Sequence, residues 1–239
     1  MTLTNLGTDV LATLPDLPRW VEARGLLLSR RGFVVDTPDG CRMICSRADR
    51  IVVPTTIELS PQLEAVAARE VPGATILVQD VMLPAARFHL PDWTAEAVTL
   101  YTLHEERARA WRLPQWPTSP ITDAQLPAVD GLPPDLRDEL LAAAAHTPVW
   151  AAKQDGRPAA FAYASQTTER WFDVSVDTLE PFRNQGLGRA AAMALIVDRM
   201  LHGLLPVWGA VQGNEASHRL ARRLGFEAVD LLWLMTRSG

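Results

Sequence analysis

The stretch that most constrains this chain is Arg183-Asn184-Gln185-Gly186-Leu187-Gly188, which stands between a strand-like run, Trp171 to Thr178, and an apolar helical run, Arg189 to Leu201. A strand that turns through glycines into a helix gathers backbone N–H groups and the positive end of the helix dipole around one small volume. Such a volume accepts an anion. Gly186 and Gly188 carry no Cβ, so a phosphate can come close to the main chain and the loop can adopt positive φ. Glycine turns before helices are common, so the meaning of these six residues rests on their surroundings.

Those surroundings are ordered. Downstream, a short strand, Pro206 to Val211, leads to Asn214-Glu215-Ala216-Ser217 at the start of a second helix, which Leu224-Gly225-Phe226 closes before a last strand, Ala228 to Met235. Upstream, Asp135 to Ala145 reads as a helix with Leu136, Leu140 and Leu141 inward, followed by strands Val149 to Lys153 and Ala159 to Ser165 joined by the hairpin pair Asp155-Gly156. The series strand, R-x-x-G-x-G, helix, strand, N-x-x-S, helix, L-G-F, strand resembles the GNAT superfamily of acyl-CoA N-acyltransferases. The resemblance covers Trp150 to Arg237 and is nearly absent before Pro114. It implies an α/β (α+β) fold: a GNAT-like mixed, mostly antiparallel sheet flanked by helices, preceded here by a smaller α/β N-terminal domain.

The resemblance also assigns chemistry. It implies acetyl-CoA as co-substrate, with no metal, and direct transfer of the acetyl group to a primary amine. The amides of Asn184, Gln185, Gly186, Leu187, Gly188 and Arg189 would take the pyrophosphate, with charge from Arg183 and Arg189. Backbone groups near Val176 and Thr178 would pair with the pantetheine arm as an added strand does. The family's usual base is a carboxylate on or near the strand before the loop. Alternation puts Asp173, Ser175 and Asp177 on one face of that strand, so Asp173 is the first candidate, with Glu169 and Glu180 in reserve. Asn214 and Ser217 match the position that bonds pantetheine or holds the loop, and Asn214 also suits a helix N-cap. Many members carry a tyrosine general acid seven residues after that asparagine. Here the position is Ala221, which leaves Ser217, water or a residue outside the motif to supply the proton and keeps open an acyl-CoA-binding sensor or structural module without turnover.

The N-terminal half gives no such pattern. Val21 and Leu26 to Leu28 fit a short helix running into a strand, and Phe33 to Val35 and Met43 to Cys45 flank the turn Thr37-Pro38-Asp39-Gly40. Ile51 to Val53, Thr75 to Val81 and Val98 to Leu103 read as strands and Pro61 to Arg69 as a helix. The order allows a degenerate GNAT-like copy, but no R-x-x-G-x-G equivalent appears, and a structural role or one wall of the acceptor cleft is the preferred assignment. Six prolines between Trp111 and Pro134 have the composition of a linker. The expected division is therefore 1–113, an N-terminal α/β domain; 114–134, a linker; and 135–239, the acyl-CoA-binding domain.

Composition narrows the partners. With 48% hydrophobic and 21% charged residues the chain is globular, and a net charge of −5 argues against a general nucleic-acid binder. No apolar run is long enough for a membrane span, so the cytoplasm is the expected compartment. Cys41 and Cys45 are too few for a disulfide framework, and the histidines are scattered without metal-ligand spacing. The expected partner is a small-molecule or peptide amine, with homodimerisation compatible.

Overall fold

The computed structural model describes residues 10–112 and 114–237. It has one eleven-stranded sheet, in the order β1-β2-β3-β4-β11-β5-β10-β9-β8-β7-β6. The N-terminal half supplies β1 (Phe33–Asp36), β2 (Arg42–Ser46), β3 (Ile51–Pro54), β4 (Thr75–Gln79) and β5 (Trp93–Thr102). Its helices are α1 (Val21–Leu28), α2 (Leu63–Glu70), α3 (Leu83–His89) and the short α4 (Glu105–Arg109). The C-terminal part supplies β6 (Thr118–Ile121), α5 (Pro134–Ala144), β7 (Val149–Gln154), β8 (Arg157–Thr167), β9 (Trp171–Thr178), α6 (Leu187–Leu201), β10 (Leu205–Val211), α7 (Glu215–Leu224) and β11 (Glu227–Arg237). No helix among the described residues is long and apolar enough to cross a membrane.

The two halves repeat one plan. In each, two antiparallel hairpin-type pairings lead to a parallel pair joined by a crossover helix: β3 with β4 through α2, and β9 with β10 through α6. A further helix and a last strand follow, β5 in the first half and β11 in the second. These last strands are exchanged. β11 pairs with β4 and β5 pairs with β10, while β5 and β11 pair with each other at the middle of the sheet. Neither half closes its sheet without a strand from the other.

Several local differences from the sequence expectation have physical causes. The run Leu26 to Leu28 continues α1 instead of passing into a strand, because Leu26 packs with Ile44 and Val53. The proline-rich stretch contains β6, whose partner is β7, and it packs Ile121, Leu126, Val129 and Leu132 beneath α5. Prolines are tolerated there because β6 is an edge strand. Residues 1–8, whose sequence has no periodicity and reads as a loose end, lie outside the described residues.

The sheet curls around α1. That helix touches β8 and β9 of the second half as well as β2 of the first. Val21 packs with Leu100, Val207 and Leu232, and Ala23 and Leu26 with Ile44 and Val53. Gly25 makes the closest approach: a Cβ there would lie 2.7 Å from Gln166 Cβ. On the opposite face α6 buries Ala190, Ala191, Leu195 and Ile196 against Ala160, Ala162, Phe172 and Val174. These two coverings leave open the region where β9 and β10 part.

Candidate active site

The parallel pairing of β9 with β10 runs from Trp171↔Leu205 to Asp173↔Val207 and stops. β9 stays paired with β8 as far as Thr178, and β10 with β5 as far as Val211. Each strand is thus held from its outer side while Val174–Thr178 and Trp208–Val211 face one another across a gap. A fork of this kind has unpaired main-chain groups along one edge, which an extended ligand can pair with.

The glycine loop lies at the open end of the fork. Asn184 and Gly186 have φ of 62° and 87°, and Gly186 is the left-handed N-cap of α6. Helix bonding begins with Ala190 N–H donating to Gly186 O at 3.1 Å, so the amides of Leu187, Gly188 and Arg189 precede the first intrahelical bond. No side chain caps that turn. Gly188 has a second duty: a Cβ there would meet Thr178 Oγ1 at 2.8 Å and Val176 Cγ1 at 3.3 Å, so its absence seats α6 on β9. Arg183 donates to Thr178 O at 3.3 Å, and Gln185 Nε2 to Pro181 O at 3.3 Å. The loop is also fastened from outside, where Trp116 Nε1–H donates to Gln185 O at 2.8 Å. Trp116 sits in the stretch expected as a linker.

Asp173 stands at the apex of the fork on the α1 face. Burial raises its carboxyl, against hydrogen bonds from the Ser165 hydroxyl, 2.6 Å away, and the Gly209 and Val174 amides. A raised carboxylate in a cleft has the character of a general base. The reserve candidates are placed elsewhere. Glu169 is gripped by Arg24: burial raises its carboxyl, but the Arg24 hydrogen bonds, a backbone hydrogen bond and the Arg24 charge together lower it, and Glu180 is exposed at the start of a 3-10 turn. Asp177 lies farther along β9, raised by burial and receiving the Tyr163 hydroxyl at 3.0 Å.

Asn214 caps α7, its Oδ1 accepting from Ser217 N–H at 3.0 Å. Ser217 Oγ accepts from Trp208 Nε1–H at 2.8 Å. Ala221 is buried in the core that Trp208 and Phe226 fill. The exchange of last strands brings a tyrosine close to this helix after all. Tyr101 of β5 reaches His218 Nδ1 at 2.7 Å, and His218 Nε2 lies 3.1 Å from Val211 O. Because a carbonyl accepts only, Nε2 carries the imidazole proton and Nδ1 takes the tyrosine's.

One residue near the apex was not indicated by the motif. Glu22 of α1 accepts from Gln166 Nε2 at 3.0 Å and senses the charge of Asp173. Its carboxyl is pushed up to about 8 by burial first, then by Asp173 and Asp49, against Gln166 and Arg31. A glutamate inside the apolar run Trp20 to Leu28 is the signal that would have found it.

Residues 150–231 match the family model for the GNAT acetyltransferase domain. Solved structures extend the likeness to almost the whole chain. A GCN5-related N-acetyltransferase-like protein from Streptococcus suis superposes with a TM-score of 0.68 at 15% identity, over 99% of this chain and 100% of that one. A GCN5-related N-acetyltransferase from Kribbella flavida gives 0.64 at 18%, over 99% and 96%. A tandem GNAT protein from the clavulanic acid biosynthesis pathway gives 0.57 at 15%, over 87% and 83%. At these identities the structures speak for the fold. No curated protein matches the chain.

Proposed function

We propose that this protein, whose C-terminal half is a GNAT domain, transfers an acetyl group from acetyl-CoA to a primary amine. The division at 1–113 and 135–239 then separates a half that helps build the acceptor side from the half that binds coenzyme A. The observation that carries the proposal is the fork between β9 and β10, which has an uncapped helix N-terminus at its open end and Asp173 at its apex. The amides of Leu187, Gly188 and Arg189 take the pyrophosphate, and the unpaired edge near Val176 and Thr178 takes the pantetheine arm. The thioester then lies at the apex. There Asp173 accepts the proton that the amine sheds as its nitrogen attacks the carbonyl.

A second reading, acyl-CoA binding without turnover, draws on the buried Ala221 and on the bond that Ser217 Oγ already makes with Trp208. One experiment separates the two. Thermal melting with acetyl-CoA is followed by release of free thiol in the presence of an amine panel, on wild type and on Arg189→Glu. A glutamate in the first turn of α6 suits the helix dipole yet repels a pyrophosphate. The wild type is expected to melt later with acetyl-CoA, by an amount equivalent to about 2.7 kcal/mol at a hundredfold excess over Kd. Arg189→Glu is expected to fold and show no shift. A shift without thiol release supports the second reading, and no shift in wild type refutes both.

A further inference from the structure

Acyl transfer leaves a thiolate that needs a proton, and the two tyrosine hydroxyls near the fork already donate elsewhere. Tyr101 gives its proton to His218 at 2.7 Å, and Tyr163 gives its own to Asp177 at 3.0 Å. Ser217 Oγ accepts from the Trp208 indole at 2.8 Å and keeps its own proton, and Ala221 has none to give. The apex does hold a second carboxyl, and it comes from the other half of the chain.

Resting on the acyl-transfer reading above, we infer that Glu22 of α1 protonates the departing thiolate while Asp173 receives the proton of the attacking amine. Geometry supports this division of labour. Gln166 Nε2 donates to Glu22 Oε1 at 3.0 Å, and Oε2 has no partner among the described residues, so Oε2 carries the proton. Gln166 is only 4% exposed and lies against α1 because Gly25 has no side chain; a Cβ there would be 2.8 Å from its Oε1. Gln166 is therefore the positioning residue.

The charged groups facing Glu22 agree. Asp173 on β9 and Asp49 in the β2–β3 turn both disfavour a second negative charge. Arg31, which follows α1, works the other way, but it is engaged by Asp49 at 2.8 Å and by Ser165 O at 2.7 Å. The charge of Asp173 and Asp49 thus helps Glu22 to keep its proton.

The step balances. The ammonium first releases one proton to water. The amine nitrogen then bonds to the thioester carbonyl carbon, its surplus proton passes to Asp173, the C–S bond breaks, and sulfur takes the Glu22 proton. Transfer of a proton from Asp173 to Glu22 resets the pair, and the products are an amide and free coenzyme A.

The test is the pH dependence of kcat, from pH 6 to 10, for wild type, Glu22→Gln and Glu22→Asp at saturating acetyl-CoA with an amine the wild type accepts. In wild type kcat is expected to fall above a pH of about 8. Glu22→Gln is expected to lower kcat about 100-fold at neutral pH and to remove that descending limb, with KM for acetyl-CoA nearly unchanged. Glu22→Asp is expected to keep the limb with a displaced midpoint. A limb that persists in Glu22→Gln, or keeps its midpoint in Glu22→Asp, overturns the inference. A wild type that binds acetyl-CoA and acylates no amine overturns the underlying reading instead.

Discussion

The loops that follow β3 and β9 occupy the same place in the two halves and have opposite character. After β9 the chain passes through Asn184 and Gly186 in the left-handed region, and α6 begins uncapped with no acidic residue in its first turn. After β3 it passes through Thr55–Gln62 without a glycine. There Ser60, 1% exposed, receives the Gln62 amide on its Oγ at 3.0 Å and the Leu63 amide on its carbonyl at 3.0 Å, and α2 carries Glu64 in its first turn. The α2 start has its Leu63 amide bonded and a negative charge beside it, while among the described residues the Leu187, Gly188 and Arg189 amides of α6 have no bond and no acid beside them. The apices differ in the same way. Val53, facing away from α2 as Asp173 faces away from α6, is packed with Leu26 and Ile44. On the proposed reading the anion goes to the α6 start, where no first-turn amide is bonded and no acid repels it.

The largest effect should separate the two apices. Asp173→Asn keeps the size of the side chain and removes its basicity, so kcat is expected to fall by about 10²–10⁴ while the acetyl-CoA-induced melting shift survives. Val53→Ala should do the reverse. It is expected to lower stability by about 2 kcal/mol and leave kcat per folded molecule within about twofold. Equal losses of kcat in both variants would mean that both apices serve the reaction, and the contrast drawn here would collapse.

Much of the second half was legible in the sequence because its signals are local. The Asp155-Gly156 pair, with φ of 51° and 79°, fixes a hairpin, and Gly225, φ 89°, caps α7 where Leu224-Gly225-Phe226 indicated. Asp173 was reachable by strand alternation. The first half was harder to read, since its crossover loop has lost the glycines that mark the motif. The exchange of β5 and β11 was not legible either, because both strands alternate equally well against either neighbour. Glu22, Trp116 and Tyr101 were missed for one reason: each acts on an element distant in sequence, and no spacing rule records that.

The Glu22 carboxyl makes the junction of the halves sensitive to pH, and the sign follows from linkage. A carboxyl whose value rises from 4.5 in the unfolded chain to about 8 in the fold binds more protons when folded. Its contribution is therefore harmless below about 4.5, and stability falls as pH rises towards about 8. Discounted for partial exposure, the penalty is about 2 kcal/mol, or about 5 °C in melting temperature for a chain of this size. Glu22→Gln should accordingly melt about 5 °C above wild type at pH 9 and alongside it at pH 5. Parallel melting curves across that range would place Glu22 in water in the native state, away from the apex.

The smallest expected effect tests whether the proline-rich stretch belongs to the site. The first-half loop is tied to the neighbouring strand, with Thr55 N–H donating to Arg42 O of β2 at 2.8 Å, and Ser60 closes its turn. The second-half loop relies on Trp116, whose indole donates to Gln185 O at 2.8 Å across the sequence gap. Trp116→Phe keeps most of the packing and deletes one hydrogen bond, a change of about 1 kcal/mol that falls on loop order more than on the fold. Apparent affinity for acetyl-CoA is expected to drop about fivefold, with melting of the free protein shifted by no more than about 2 °C. Calorimetric titration of both proteins measures this directly. An unchanged affinity would return residues 114–134 to the role of a connector and leave the glycine loop self-sufficient.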